Sequence, residues 1–336
     1  MRREDFHDRL QRIWYGGVRP PWWLKALGLP YAGVVRLRAA LYRHGWLRRV
    51  RAARPVIVVG NVTVGGTGKT PLTVWLAQRL AARGLQVGVV LRGYGAAGRG
   101  GPHRVQDDSD PDEVGDEAVL IRRRTGCAVA VGRDRARAAA LLAPEVDVLI
   151  ADDGLQHLRL CRDFELAVVD AARGCGNGRL LPAGPLREPE TRLAEVDQVI
   201  INGTSGFQWP GALSMRLEGT QLHALAGPAT QPLAAFAGRR VHAVAGIGNP
   251  PRFFASLRAA GLEVVEHPFP DHHRYSAADL RFEESLPVLM TQKDAVKCSA
   301  FATAAHWYLP VDAVFEPAAA AALLERLEQA LAARTG

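Results

Sequence analysis

The feature that most constrains this chain is the segment GNVTVGGTGKTP at residues 60–71, which joins an apolar run to a segment with helical spacing. The apolar run PVIVVG (55–60) is typical of a buried β-strand, and PLTVWLAQRLAARG (71–84) predicts a helix. A glycine-rich loop between a strand and a helix directs backbone N–H groups and the positive end of the helix toward phosphate oxygens. The segment therefore predicts a phosphate-binding loop.

The loop departs from the usual G-x-x-x-x-G-K-[ST] pattern at one position, because Thr63 stands where the pattern has glycine. Gly65, Gly66 and Gly68 still allow a tight turn, since glycine reaches positive φ without a steric clash. Thr63 lies nearer the end of the strand, where we expect less strain. We interpret the threonine as a change that weakens the match to the pattern without breaking it.

The end of the loop supplies groups that phosphate and metal require. Lys69 is predicted to reach the outer phosphates, and the hydroxyl of Thr70 is predicted to bind Mg²⁺. Pro71 is tolerated there because the first N–H groups of a helix have no partner within it. Asp152 and Asp153 end the apolar run VDVLIADD, where a carboxylate beside a phosphate loop holds Mg²⁺ directly or through water. The alternative is a solvated turn that carries two acidic residues.

Two further polar pairs have more than one interpretation. Asp116 and Glu117 in VGDEAVL come before an apolar helical run, where acidic residues also simply stabilise a helix N-terminus. His272 and His273 in DHHRY follow a predicted strand, and such a pair is more often structural or solvated than catalytic. The segment GIGNP (246–250) resembles part of a dinucleotide fingerprint but lacks its third glycine, so it is not predicted to bind a cofactor.

Strand-like and helical segments alternate along the chain and predict an α/β fold, with a parallel sheet flanked by helices as in P-loop NTPases. A length of 336 residues allows two domains. We predict a phosphate-loop domain at 54–203, a connecting region at 204–238 and a second, smaller α/β domain at 239–336 that ends in a helix. The Gly- and Asp-rich stretch 96–112 is predicted to be a loop.

Residues 1–53 differ in composition from the rest of the chain. The formal net charge of +8 is matched by the excess of Arg and Lys over Asp and Glu within the first fifty residues, which also contain four of the seven tryptophans. The segment PPWW (20–23) is predicted to be a turn, and YAGVVRLRAALYR (31–43) is predicted to be an amphipathic helix whose apolar face lies opposite Arg36 and Arg43.

Two interpretations of this N-terminal helix remain open. Tryptophan and arginine beside a short amphipathic helix suit a membrane interface, where rings lie at headgroup depth and long cations reach lipid phosphates. Equally, the helix could pack on the body of the protein with its arginines solvated. No uncharged run approaches the roughly 20 residues of a membrane span, and the N-terminus lacks the apolar core of a secretory signal. We therefore expect the protein on the cytoplasmic side.

Together these motifs resemble those of one family, the tetraacyldisaccharide 4′-kinases, which phosphorylate the disaccharide precursor of lipid A. The matching segments follow the family's order: GNVTVGGTGKTP, LRGYG, GDEAVLI, ADDGLQH, GNGRLLPAGPLREP, GIGNPPRFF, FPDHHRY and TQKDAVK. They extend over residues 55–297, and the phosphate loop and LPAGPLRE are specific to the family. The family's loop carries threonine at the same position, so Thr63 belongs to the family pattern.

The resemblance implies a kinase that uses ATP and Mg²⁺, a lipid-linked disaccharide acceptor and a membrane-associated N-terminal helix. It implies that Asp116 and His272 deprotonate the sugar hydroxyl, with Lys69 as the third catalytic group, although the motif leaves His273 as an alternative to His272. The implied cofactor-binding residues are Thr63, Gly65, Gly66, Thr67, Gly68, Lys69 and Thr70; the implied metal ligands are Thr70, Glu117, Asp152 and Asp153; and the implied acceptor contacts are Asn177 and Arg187.

These implied roles place the site between the two predicted domains, since Asp116 and His272 come from different ones. Closure of such a cleft would exclude water and reduce wasteful hydrolysis of ATP. We expect a monomer that acts at the inner face of the cytoplasmic membrane and binds no nucleic acid.

Three other classes of protein fit the sequence less well. Partitioning ATPases carry a lysine before the paired glycines, where this chain has Val64. A GTPase would need N-K-x-D, and TQKD (291–294) differs from it in residue order. A nucleic-acid-binding protein would use the basic N-terminal segment, but its tryptophans lie beside aliphatic residues rather than in a recognisable stacking module.

Overall fold

In the computed structural model, which describes residues 3–93, 101–204 and 206–335, the apolar run before the phosphate loop forms β1 (Val56–Gly60). All five residues of β1 are buried. Ile57 and Val59 enter one core and Val56 and Val58 the other. Burial on both faces is typical of a central strand in a parallel sheet covered by helices on both sides.

The first sheet extends outward from β1 in both directions. Its other strands are β2 (Val87–Leu91), β3 (His103–Val105), β4 (Ala128–Val131), β5 (Val148–Asp152), β6 (Phe164–Asp170), β7 (Gln198–Asn202), β8 (Leu213–Glu218) and β15 (Asp312–Phe315). Within the described residues their spatial order is β15-β8-β7-β6-β1-β5-β2-β4-β3. The strands run parallel except β3 and β15, which form antiparallel edges. The predicted α/β fold with a parallel sheet is confirmed.

Helices cover both faces of this sheet. They are α3 (Lys69–Ala81), α4 (Pro111–Val114), α5 (Asp116–Thr125), α6 (Arg135–Leu142) and α9 (Pro317–Thr335). Apolar residues of α3, α5 and α9 enter the core on one face, and those of α6 enter the core on the other. Because α3 and α5 lie on the same face, their first residues meet near the carboxyl end of the sheet.

A second sheet follows in the chain. Its strands are β9 (Gln221–Ala224), β10 (Thr230–Pro232), β11 (Arg240–Ala245), β12 (Glu263–Pro268), β13 (Val288–Thr291) and β14 (His306–Leu309), in the spatial order β10-β9-β14-β13-β11-β12. Its helices are α7 (Pro250–Ala259) and α8 (Gln292–Cys298). The four strands β14, β13, β11 and β12 are parallel, and α8 packs against α5 of the first sheet.

The C-terminal segment corrects the predicted boundary of the second domain. The sequence assigned residues 239–336 as a whole to that domain, but β15 pairs with β8 and joins the first sheet. Helix α9 then places Leu323, Leu327 and Leu331 in a core of the first sheet. The apolar face of α9 lies in the same core as Trp75 of α3, whose ring lies 4.6 Å from that of Phe315.

The stretch predicted as a loop at 96–112 is only partly accounted for, because residues 94–100 lie outside the described ones. In its remainder, β3 pairs antiparallel with β4, and α4 begins at Pro111. The carboxylate of Asp110 accepts a hydrogen bond from the backbone N–H of Asp112 and caps α4. A three-residue edge strand and a one-turn helix are too short to give a periodic signal in the sequence.

The N-terminal segment forms two helices, α1 (Arg3–Tyr15) and α2 (Trp22–Arg43). The prediction of a turn at residues 20–23 is wrong, because Pro21 caps α2 and both tryptophans begin it. Helix α2 contains Pro30 and begins nine residues earlier in the chain than predicted. None of the described helices combines the length and the apolarity that crossing a membrane requires.

Candidate active site

The phosphate loop has the geometry that its sequence predicts. Gly68 precedes α3 with φ 98°, and Gly65 has φ 102°, values that favour glycine. Thr63 is buried and forms an isolated antiparallel bridge with Leu186, beyond the end of β1 at Gly60. A β-branched side chain is suited to such a position.

Side chains of neighbouring segments orient the lysine of the loop. Lys69 Nζ lies 3.2 Å from Asn61 Oδ1 and 3.5 Å from Asp153 Oδ1. Asn61 Nδ2 in turn lies 3.5 Å from the carbonyl oxygen of Gly65. The ammonium group is therefore held over the turn, where phosphates bind in loops of this type.

Asp152 and Asp153 end β5, which lies beside β1, so both carboxylates reach the phosphate loop. Asp152 is buried and accepts a hydrogen bond of 2.9 Å from Thr73 Oγ1. Burial, together with the charges of Glu117 and Asp153, raises the pKa of Asp152 to about 7. This carboxylate stands in an environment that already holds excess negative charge.

Asp153 has the opposite electrostatic environment. Burial would raise its pKa, but the charges of Lys69 and Arg187 lower the pKa to about 2. Arg187 Nη1 donates to both carboxylate oxygens at 2.8 and 3.0 Å, and Arg135 Nη2 donates to the backbone oxygen at 3.1 Å. Asp153 is thus fixed as a carboxylate among three cations.

The acidic pair at the start of α5 faces the second sheet. Asp116 Oδ2 lies 3.3 Å from His272 Nδ1, and Asp116 Oδ1 accepts a hydrogen bond of 2.8 Å from the backbone N–H of Glu117. Burial opposes ionisation of Asp116, but the hydrogen bond with His272 and the charge of Lys293 lower its pKa well below the usual value. The hydrogen bond with Asp116 raises the pKa of His272.

Of the two adjacent histidines, His272 is the one that reaches the acidic pair. His273 turns away, with its Nε2 3.5 Å from Asp279 Oδ2 and its ring against Phe269 and Tyr275. Of the two histidines that the motif left open, His272 is therefore the one that contacts Asp116.

Backbone strain coincides with this site. Among the described residues, the non-glycine residues with positive φ are Asp153 (47°) and His272 (60°). Such conformations cost of the order of 1–3 kcal/mol and cluster at functional sites. Both residues contact the site through their side chains.

Four of the predicted residues line one small pocket together with two arginines. Asp116, Glu117, Asp152, Asp153, Arg92 and Arg135 line it. Lys293 of α8 closes the side toward the second sheet, with Nζ 3.0 Å from Glu117 Oε1 and 3.2 Å from Asp271 Oδ1. Across the part of the chain that the structure describes, no cluster of three or more His, Cys, Asp or Glu residues suits a metal ion by itself.

The two predicted acceptor residues lie in different surroundings. Arg187 joins the pocket through Asp153 and Gln156. The side-chain amide of Asn177 instead donates to the carbonyl oxygens of Ile13 at 3.1 Å and Ala183 at 2.8 Å. Asn177 therefore ties the end of α1 to the 177–187 loop and does not reach the pocket in this conformation.

The GIGNP segment of the second sheet rests on the phosphate loop. A Cβ atom built at Gly248 would lie 2.2 Å from the backbone nitrogen of Gly66, so a side chain has no room there. Arg173 Nη1 donates to the carbonyl oxygen of Gly248 at 2.9 Å. The segment thus contributes a close backbone contact to the phosphate loop.

Several polar residues of the site have no individual role in the sequence prediction. Asn61 contacts Lys69, Arg135 contacts Asp153, and Gln156 joins Arg187 to the backbone of Asn61. Gln156 and Lys293 do fall in the quoted segments ADDGLQH and TQKDAVK. Those segments were the signal available, but only the fold shows which of their side chains turn inward.

A strand, a glycine-rich loop with Lys69 and a helix, set beside two carboxylates at the end of the adjacent strand, define a P-loop nucleotide-binding protein. The pocket adds a carboxylate–histidine pair of the kind that accepts a proton from a hydroxyl group. The class of protein indicated by the fold and site is therefore a P-loop kinase.

Comparisons with known proteins agree with that class. A family model described as "Tetraacyldisaccharide-1-P 4'-kinase" matches residues 20–328. The tetraacyldisaccharide 4'-kinase of Alkalilimnicola ehrlichii is 54% identical over 94% of this chain and 95% of its own length. The enzyme of the same name from Pseudomonas aeruginosa is 50% identical over 98% of this chain and 99% of its own. The chain belongs to the tetraacyldisaccharide 4'-kinase family.

A solved structure is similar over nearly the whole fold. It is an "apo" form of LpxK from Aquifex aeolicus in complex with ATP, with a TM-score of 0.74 and 28% sequence identity. The match covers 92% of this chain and 97% of the Aquifex chain. The predicted family and the P-loop kinase fold are therefore confirmed.

Proposed function

We propose that this protein transfers the γ-phosphate of ATP to the 4′-hydroxyl of a tetraacylated glucosamine disaccharide 1-phosphate, the precursor of lipid A. Family membership supports the reaction, and the ATP complex of the Aquifex relative supports the donor. The observation that carries the proposal is the Asp116–His272 pair, 3.3 Å apart. Asp116 lines the same pocket as Asp153, and Lys69 Nζ lies 3.5 Å from Asp153 Oδ1.

The chain's own residues account for the transfer step. Backbone N–H groups of the loop and the ammonium of Lys69 hold the phosphates in line with the acceptor. The 4′-oxygen forms a bond to the γ-phosphorus while the bond from that phosphorus to the β-bridging oxygen breaks, and ADP leaves. The hydroxyl proton passes to the Asp116–His272 pair, because Asp116 is held as a carboxylate and His272 is oriented by it.

The carboxylates of the pocket fit a requirement for Mg²⁺. Burial and, after it, the charges of Glu117 and Asp153 raise the pKa of Asp152, and a divalent cation would offset the repulsion among these carboxylates. Mg²⁺ in nucleotide sites takes one or two carboxylates, a hydroxyl and phosphate oxygens, so it needs no dedicated cluster of protein ligands. We propose that Thr70, with carboxylates drawn from Glu117, Asp152 and Asp153, would hold the ion directly or through water, and that the ion would neutralise the phosphate charge.

We further propose that the N-terminal helices bind the inner face of the cytoplasmic membrane, the side on which ATP is available. The exposed large apolar residues of the described chain fall in one short segment: Val18, Trp22, Trp23, Leu27, Leu29, Val34, Leu37, Trp46 and Leu47. A contiguous apolar surface flanked by arginines suits an anionic lipid interface. Leu24 is the buried residue of α2, so packing of this helix on the rest of the protein does not account for its exposed apolar surface.

Contacts at the base of this segment connect it to the site. The Tyr31 hydroxyl donates to the carbonyl oxygen of Arg187 at 3.0 Å, and the Tyr15 hydroxyl lies 3.4 Å from that of Val64 in the phosphate loop. We propose that these contacts orient the pocket toward the lipid surface, where an acylated acceptor is presented.

We propose that the two sheets act as two domains of a monomer. The first would consist of the phosphate-loop sheet together with β15 and α9, and the second of the sheet built around β11. The pair of α5 and α8 lies between them and carries Asp116, Glu117 and Lys293. Movement of one sheet against the other would open and close the pocket.

Transfer of label from the γ-phosphate of ATP to detergent-dispersed disaccharide 1-phosphate tests the proposal. Lys69→Ala should nearly abolish transfer. His272→Asn should lower kcat by roughly 10²–10⁴-fold, the range for loss of a general base. His273→Asn is the matched control and should stay close to wild type, since its ring contacts Phe269 and Tyr275 instead of Asp116. Equal loss in both histidine variants would contradict the assignment.

A further inference from the structure

Lys297 lies beside the carboxylate of the Asp116–His272 pair, although it is not part of the phosphate loop or the acidic cluster. Its Nζ is 3.5 Å from Asp116 Oδ2, the same oxygen that faces His272 Nδ1. The Lys297 side chain is 8% exposed and that of Asp116 is 6% exposed. The lysine comes from α8 and the aspartate from α5, so the contact joins the two sheets.

A second carboxylate fixes the lysine from behind. Asp294, one turn earlier on α8 and fully buried, has Oδ1 3.2 Å from Lys297 Nζ. Asp294 Oδ2 accepts hydrogen bonds from Thr291 Oγ1 at 2.6 Å and from the backbone N–H of Gly246 at 3.1 Å. The position of Asp294 is therefore set by the ends of β13 and β11.

The surroundings of Lys297 leave it little freedom. Its ammonium lies 5.1 Å from the centre of the Tyr275 ring. A Cβ atom at Gly246 would meet the Tyr275 hydroxyl at 2.6 Å and Asp294 Oδ1 at 3.1 Å. A side chain at Gly246 therefore has no room beside Tyr275 and Asp294.

This arrangement is a poor source of stability. Lys297 Nζ and Asp294 Oδ1 are within ion-pair distance, yet neither has a hydrogen bond of suitable angle within the described residues. A buried ion pair whose remaining hydrogen bonds are unmade generally does not recover its desolvation cost. A role in the site explains the buried charge better than a role in folding.

We infer that Lys297, held by Asp294, is a positioning residue that fixes Asp116 Oδ2 against His272 across the junction of α5 and α8. The Lys297 ammonium and the His272 ring nitrogen then converge on one oxygen and restrict the carboxylate to one orientation. Lys293, one turn earlier, makes the corresponding contact with Glu117. Packing of the second sheet on the first therefore assembles the proton-accepting pair. This inference rests on the proposed function.

Steady-state kinetics of label transfer test the inference. Lys297→Met should lower kcat roughly ten- to a hundredfold while the KM for ATP changes less than about twofold, since misplacing a reacting group by about 1 Å costs that much. In an Asp116→Asn background, measured in single turnovers, Lys297→Met should have no further effect. A merely structural lysine would lower the rate equally in both backgrounds, and that result would overturn the inference.

Two more variants keep the test decisive. Asp294→Asn retains an oxygen for Gly246 and Thr291 but removes the charge that faces Lys297, and it should lower kcat in the same direction. If Lys297→Met does not fold, Asp294→Asn takes its place in the test. Its effect should then likewise disappear in the Asp116→Asn background. Arg334→Met, which removes a comparably buried ion pair with Asp163 far from the pocket, should leave kcat unchanged. Wild-type protein that transfers no label would overturn the proposed function, whereas transfer with unaltered kcat in both α8 variants would overturn this inference alone.

Discussion

His272 and Asp116 come from opposite sides of the junction between the two sheets, and their side chains meet at 3.3 Å. Asp116 begins α5 on the first sheet, whereas His272 lies in the loop after β12 of the second, with a φ of 60°. Neither sheet alone holds the complete pair. In the proposed mechanism, proton transfer to this pair therefore depends on how the two sheets pack together.

The pH dependence of transfer should report this pair. Its hydrogen bond with Asp116 raises the pKa of His272, and protonated His272 cannot accept the hydroxyl proton. We expect kcat to fall as pH decreases through a midpoint above the ordinary histidine value of about 6.5. Asp116→Asn should lower the rate and shift the midpoint to lower pH. A midpoint that stays in place in Asp116→Asn would show that His272 does not control the profile.

Asp152→Asn should stabilise the nucleotide-free protein while it abolishes transfer. The pKa of Asp152 is raised to about 7 by burial and neighbouring charge, so the folded state retains a proton that the unfolded chain loses at lower pH. The contribution of Asp152 to the stability of the wild type is therefore lost as pH rises through about 7. At about pH 8 the free energy of unfolding of the variant should exceed that of the wild type by roughly 1–3 kcal/mol.

Urea denaturation at several pH values measures this difference. The gain should shrink toward about pH 4, where both states of the wild type become protonated. Asp312→Asn is the control, because that carboxylate is 65% exposed. A variant that is less stable than the wild type at about pH 8 would mean that the Asp152 carboxylate is well accommodated without a cation.

The exposed apolar surface of the N-terminal segment should govern lipid binding. Trp22 is 79% and Trp46 is 81% exposed, so charged replacements should not disturb folding. We expect Trp22→Glu with Trp46→Glu to reduce sedimentation with anionic liposomes several-fold. Ala321→Glu with Ala322→Glu adds the same charge to exposed positions of α9 and should leave sedimentation unchanged. Equal loss in both pairs would indicate binding by net charge alone.

Gly248→Ala should weaken the use of ATP. The new methyl group would lie 2.2 Å from the backbone nitrogen of Gly66, so the GIGNP segment must move off the phosphate loop. We expect the KM for ATP to rise several-fold in steady-state assays. Gly33→Ala adds the same group where nothing lies within 4 Å and serves as the control. An unchanged KM in Gly248→Ala would mean that this contact does not shape the nucleotide site.

The phosphate loop could be predicted from the sequence because its signal is local. A strand, a glycine-rich turn and a helix follow one another, and their residues are read directly. The exception at Thr63 is different, because its bridge with Leu186 joins segments that lie far apart in the sequence.

Long-range contacts within the site were not predictable in the same way. The segment DHHRY does not indicate which histidine side chain points toward α5, because that orientation depends on the positive φ of His272. Asn61 and Lys297 lie in quoted motif segments, but those segments do not indicate what the two side chains contact. Only the packing of α8 on α5 brings Lys297 to Asp116.

The path of the chain's end was mispredicted for a related reason. The pattern of β15 and α9 correctly indicates a strand and a helix, but periodicity does not say which sheet they join. The choice is made by shape: Phe315 and the leucines of α9 fill the face of the first sheet beside Trp75.

The central claim is that the 4′-hydroxyl of a lipid-linked disaccharide is the acceptor. The most direct test incubates the protein with Mg-ATP and either the tetraacylated disaccharide 1-phosphate or its 4′-deoxy analogue, and locates new phosphate by mass spectrometry of the separated sugars. The account predicts one added phosphate at the 4′ position of the first acceptor and none on the analogue. Phosphate added to the 4′-deoxy analogue, or ATP hydrolysis with no phosphorylated lipid, would contradict it.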